Sequence, residues 1–171
     1  MMSKNLSLIG MPASGKSTVG VLLAKYMNMD FVDTDILIQK EHGKRLYQII
    51  EDEGLDAFLK IEADIVCSLH KKFCVIATGG SVVYSEKAMK NLSKKGKIFY
   101  LYAGCSVIDK RLENLKERGV VYREGQSISE LFLEREPLYK KWADFTISTE
   151  VDDPGIVVSM IMSTIKKIAF F

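Results

Sequence analysis

With 171 residues, of which 47% are hydrophobic and 27% charged, the chain can bury a full core without disulfide or metal staples. Only 3 Pro and 12 Gly exclude a collagen-like or low-complexity protein. The 24 basic residues are nearly cancelled by 22 acidic ones, which argues against a dedicated nucleic-acid binder. The lysine pairs at 71–72, 94–95, 140–141 and 166–167 are scattered and read as solvated surface. The three cysteines, Cys67, Cys74 and Cys105, have no zinc spacing and suggest reduced thiols in the cytoplasm, with Cys74 and Cys105 buried. The apolar run 6–9 meets Gly10 too soon for a signal peptide, and no stretch has the length of a membrane span.

Segment 4–9 is short, apolar and closed by Gly10, the mark of a buried strand. Segment 16–27 then has apolar residues at helical spacing. Phe31 and Val32 form a second strand ending at Asp33, and 36–69 is helical, punctuated by Gly43 and Gly54. Segment 73–77 is a continuous apolar run stopped by Gly79 and Gly80, as expected of a central parallel strand. Ser85 caps a helix that Gly96 ends, and 98–101 is a further strand. Segment 107–115 is helical, while 117–126 is charged and aperiodic, a mobile-loop candidate. Ser127 and Glu130 fit a capping box opening a helix to 141. Segment 145–147 is a last strand, and Pro154 opens the final helix. Strands alternating with helices predict an α/β fold with a parallel sheet covered on both faces, in one domain. Ligands bind such sheets beyond the carboxyl ends of the strands.

Gly10-Met11-Pro12-Ala13-Ser14-Gly15-Lys16-Ser17 satisfies the phosphate-binding pattern G-x-x-x-x-G-K-[ST] and lies between a strand and a helix. Its backbone amides and the helix N-terminus suit phosphates. Lys16 suits the β- and γ-phosphates of ATP, and Ser17 suits Mg²⁺. Asp33-Thr34-Asp35 alone reads as a helix cap. Beside a phosphate site, one of its carboxylates can hold metal-bound water and the other can orient an attacking hydroxyl. Thr78-Gly79-Gly80-Ser81 reads as a tight turn and as a surface that glycine lets approach a substrate. Arg111, Arg118 and Arg123 each read as solvated charges. Arg135 lies among Leu131, Phe132 and Leu138, where an unpaired charge is costly to bury, and calls for an anionic partner.

Taken together, the P-loop, Phe31-Val32-Asp33-Thr34-Asp35, Ala77-Thr78-Gly79-Gly80 and Glu134-Arg135-Glu136-Pro137-Leu138-Tyr139 resemble the shikimate kinases, over nearly the whole chain. The resemblance implies a three-layer α/β/α domain with a five-stranded parallel sheet of order 2-3-1-4-5 and a lid near 116–126. It implies ATP-dependent phosphorylation of the 3-hydroxyl of shikimate with Mg²⁺. Thiols, charge balance and the lack of signal or membrane runs add the expectation of a cytoplasmic protein, a monomer, independent of nucleic acid and membrane. Residues 10–18, including Thr18, together with Arg111 and Arg118, would bind nucleotide. Lys16, Asp35 and Arg118 would be catalytic, with Ser17 and Asp33 at the metal. Asp35, Gly79, Gly80, Ser81 and Arg135 would bind the acceptor, Arg135 through its carboxylate. The chain departs from the family's pattern at four places. Leu59 stands where an arginine forms the second carboxylate clamp, and Ser81 stands for a glycine. Arg118-Gly119-Val120-Val121 replaces Arg-Pro-Leu-Leu, and Ala13 replaces a P-loop glycine. These leave two other readings open: a kinase for another polyol or hydroxy acid, and a nucleotide-binding regulator without turnover.

Overall fold

The computed structural model describes residues 4–113 and 125–168. Five strands form one sheet: β1 (Asn5–Ile9), β2 (Asp30–Asp33), β3 (Cys74–Ala77), β4 (Gly96–Tyr102) and β5 (Phe145–Ser148). The order is β2-β3-β1-β4-β5, with every neighbouring pair parallel. The helices are α1 (Lys16–Met27), α2 (Thr34–His42), α3 (Leu46–Glu53), α4 (Leu55–Ser68), α5 (Glu86–Lys95), α6 (Cys105–Glu113), α7 (Ile128–Trp142) and α8 (Pro154–Lys167). A 3₁₀ turn spans Val82–Tyr84.

The central strands are apolar on both faces because each face is covered, and the period of two decides which residue goes where. Leu6, Leu8, Val75, Phe99 and Leu101 pack with Val19 and Leu23 of α1 and Val157, Val158 and Ile161 of α8. Ile9, Cys74, Ile76, Ile98 and Tyr100 face Val66 of α4, Met89 and Leu92 of α5, and Leu131 and Tyr139 of α7. A third cluster, Ile38, Ile49, Phe58 and Ile65, joins α2, α3 and α4.

Most expected boundaries hold to within a residue or two, and the differences have local causes. α2 begins at Thr34 because the Asp33 carboxylate accepts the amides of Asp35 and Ile36 at 3.0 and 3.4 Å. Phe73 precedes β3 in a left-handed conformation (φ 53°). Gly96 ends α5 and also begins β4. A β-carbon there would lie 1.9 Å from the Asn5 carbonyl oxygen, so glycine lets β4 pair with β1. Cys74 is buried, whereas Cys105 is only half-buried at the start of α6. The segment expected to form a lid, with Arg118 and Arg123, lies outside the described residues apart from Gly125 and Gln126.

Candidate active site

Because β1, β2 and β3 are parallel, their carboxyl ends deliver residues 10–18, 33–35 and 78–81 to one edge of the sheet. A cavity of about 370 Å³ opens there, lined by residues of all three segments and by Arg135 of α7. α1 begins with no side-chain cap and no acidic residue in its first turn. By contrast, side chains cap α2, α5, α7 and α8. The first amides of α1 and its positive dipole end therefore remain available to an anion.

Lys16 starts α1 and is 8% exposed. Its Nζ donates to the Gly10 and Met11 carbonyls at 2.9 and 2.8 Å, so the loop holds the ammonium at its own floor. Burial lowers its pKa to about 8 against the upward pull of Asp35 and Asp33. Pro12, Ala13, Gly15, Ser17 and Thr18 also line the cavity. Met11 and Ser14 are buried in the protein, and Gly10 and Met11 contribute carbonyls that seat Lys16. Ala13 has φ 60°, a left-handed conformation that costs a residue with a β-carbon about 1 kcal/mol or more. Arg111 lies behind the loop, donating to the Thr149 carbonyl at 2.7 Å and the Ala13 carbonyl at 3.4 Å.

Asp33 both caps α2 and lines the cavity. Asp35 lines it one residue into the helix. The Thr34 hydroxyl accepts from the Gly79 amide at 3.1 Å and ties this turn to the glycine turn after β3.

Arg135 is 1% exposed. Its Nε donates to the Tyr84 hydroxyl at 3.0 Å, its guanidinium lies 5.1 Å from the Tyr84 ring, and Tyr84 in turn donates to Glu134 at 2.8 Å. The Tyr139 hydroxyl donates to the Gly80 carbonyl at 2.6 Å, and burial raises its pKa. A β-carbon on Gly80 would come within 3.1 Å of Arg135 Nη1, so the guanidinium borders the glycine turn.

Sequence reasoning missed Glu62. It sits on α4, 1% exposed, and lines the same cavity. Ser81 donates to its Oε2 at 2.6 Å, while Oε1 has no hydrogen-bond partner. The signal was present: with Phe58, Ile65 and Val66 defining the buried face of α4, an acid at 62 falls inside the apolar stripe. Burial, reinforced by Asp35, raises its pKa to about 7, against the pull of Ser81, Arg135 and Lys16. The native state then holds a proton that the unfolded chain releases above pH 4.5. Stability therefore falls as pH rises from about 4.5 to about 7, by about 3 kcal/mol from this group. Glu62→Gln keeps an acceptor for Ser81 and removes the titration. Denaturant unfolding should show the variant gaining on the parent chain between pH 5 and pH 8; parallel pH profiles would contradict this origin of the slope.

Leu59 brings no charge to the cavity. It packs against the α2–α3–α4 cluster and does not line the cavity; Lys60 is exposed and does not line it either.

A strand–loop–helix cradle for phosphates, facing carboxylates and a buried arginine across one cavity, defines a P-loop phosphotransferase of small molecules. The shikimate kinase family profile matches residues 12–166. A shikimate kinase of Thermodesulfovibrio yellowstonii is 40% identical over 97% of each chain. The chain therefore belongs to the shikimate kinase family. The solved shikimate kinase of Acinetobacter baumannii in complex with shikimate superposes with a TM-score of 0.89 at 29% identity, covering 96% of this chain and 93% of that one. The Aquifex aeolicus enzyme gives 0.84 at 34% identity, covering 96% and 98%.

Proposed function

We propose that this chain transfers the γ-phosphoryl group of ATP to the 3-hydroxyl of shikimate, yielding ADP and shikimate 3-phosphate. One observation carries the reading: a single cavity holds Lys16 at the phosphate cradle, Asp35 beside it and the buried Arg135. The open amides of α1 and the Lys16 ammonium bind the phosphates and offset the charge of the transferring group. Asp35 accepts a hydrogen bond from the attacking hydroxyl and takes up its proton as the new P–O bond forms. Arg135, prepositioned by Tyr84, binds the acceptor carboxylate. Gly79, Gly80 and Ser81 form the wall against which the ring rests. Arg111 steadies the nucleotide loop through Ala13. Arg118 enters the transfer by its position in the family's lid motif.

Ser17 and Asp33 both line the cavity, and no cluster of three or more carboxylate, histidine or cysteine ligands exists among the described residues. That sparse oxygen set fits Mg²⁺, which keeps most of its waters and takes the rest of its ligands from phosphates. Ser17 and Asp33 would hold Mg²⁺ there, and the ion would supply charge neutralisation for the phosphates.

Unbridged cysteines and a cavity lined by residues of one chain favour a cytoplasmic monomer with a small-molecule acceptor. Among the described residues no helix is long and apolar enough to cross a membrane. Leu59 and Ser81 favour one second reading, a different hydroxy acid in the same cavity. Coupled ADP release with shikimate, quinate, gluconate and homoserine separates the two. Shikimate should be preferred, and ADP release indifferent to millimolar shikimate would refute the assignment.

A further inference from the structure

We propose that Arg45 supplies the second positive charge for the acceptor carboxylate, the task that Leu59 cannot perform. The inference rests on shikimate, or a similar hydroxy acid, being the acceptor. A carboxylate gripped by Arg135 alone leaves lone pairs for a second donor. Position 59 is apolar and turned into the helix cluster, and Lys60 lies off the cavity. Arg45 does line the cavity, at the rim where α3 begins, beside Leu46 and Tyr47.

Its backbone is anchored. The Gln48 side chain accepts its amide hydrogen at 2.8 Å, and its carbonyl accepts from the Ile49 amide at 3.1 Å. The guanidinium makes no hydrogen bond or ion pair with any described residue. Two of the three acids of α3 are engaged elsewhere: Asp52 pairs with Lys44 at 2.9 Å, and Glu53 lies 3.7 Å from His42; the third, Glu51, is exposed and makes no ion pair with Arg45. A planar fork held at the rim by a fixed backbone, with no internal acid to satisfy it, suits a ligand carboxylate. The competing account is a solvated rim charge, and the two differ in what the acceptor must carry.

The test uses the full chain and compares the parent with Arg45→Gln and Arg45→Lys. Each is assayed with shikimate and with shikimate methyl ester, which lacks the carboxylate charge. Arg45→Gln should raise KM for shikimate about five- to tenfold, with the loss in KM rather than kcat and no change in KM for ATP. Arg45→Lys should recover part of it. The methyl ester should bind parent and Arg45→Gln alike. An unchanged KM for shikimate, or an equal penalty on the ester, overturns the role of Arg45 and leaves the kinase reading intact. A parent chain that does not phosphorylate shikimate overturns both.

Discussion

Lys16→Ala should reduce shikimate-dependent ADP release by about 10³-fold or more while the chain stays folded. The ammonium is buried at the floor of the cradle and held by two carbonyls of its own loop, so the charge is in place before any nucleotide arrives. A charge positioned in advance lowers the barrier without reorganisation at the moment of transfer. Burial disfavours the cation and lowers its pKa, while the carboxylates of Asp35, Asp33 and Glu62 pull the other way. Deleting such a cation relieves desolvation at the expense of two hydrogen bonds, so the melting temperature should move by only a few degrees. Retention of turnover within tenfold, with the fold verified by circular dichroism, would remove Lys16 from the chemistry.

The frame of the site was legible because its signals are local. A loop with fixed glycines, a capping aspartate and an apolar run halted by Gly79-Gly80 each declare their structure within a few residues. The parallel sheet followed from the alternation of strands and helices. What stayed hidden depends on contacts between distant segments. Ser81 and Glu62 are 19 residues apart, and nothing near Ser81 announces that its hydroxyl is spent on α4. Tyr84 and Tyr139 look like core aromatics, yet one orients Arg135 and the other holds the glycine turn. Arg135 was found by asking what a charge does in an apolar stripe; the same question put to position 62 finds Glu62.

Two departures from the family's pattern meet at that acid. Positions 59 and 62 are neighbours on α4 at i, i+3 spacing, so an arginine at 59 would be within reach of the Glu62 carboxylate. With leucine there, the carboxylate takes its one hydrogen bond from Ser81, on the wall where a glycine would offer none. The serine thus supplies the buried acid with a hydrogen bond that leucine at 59 cannot give.

Gly79→Ala should cut kcat/KM for shikimate by about 100-fold and lower stability by about 1–3 kcal/mol, with nucleotide binding retained. The added methyl would lie 2.0 Å from Glu62 Oε1 and 2.8 Å from Asp35 Oδ1. Neither can stay. Moving Glu62 breaks its bond to Ser81 inside a buried pocket, and moving Asp35 displaces the proton acceptor that we propose for the attacking hydroxyl. The phosphate cradle contributes neither atom, so affinity for ATP should hold. The clash with Glu62 is separable by a double-mutant cycle. In a Glu62→Ala background the nearer obstruction is gone, and the further loss of melting temperature on adding Gly79→Ala should shrink. Strictly additive losses would show that the strain lies in the backbone of the turn rather than between the methyl and the acid. Full activity in Gly79→Ala would mean that Asp35 works from a position other than the one seen here.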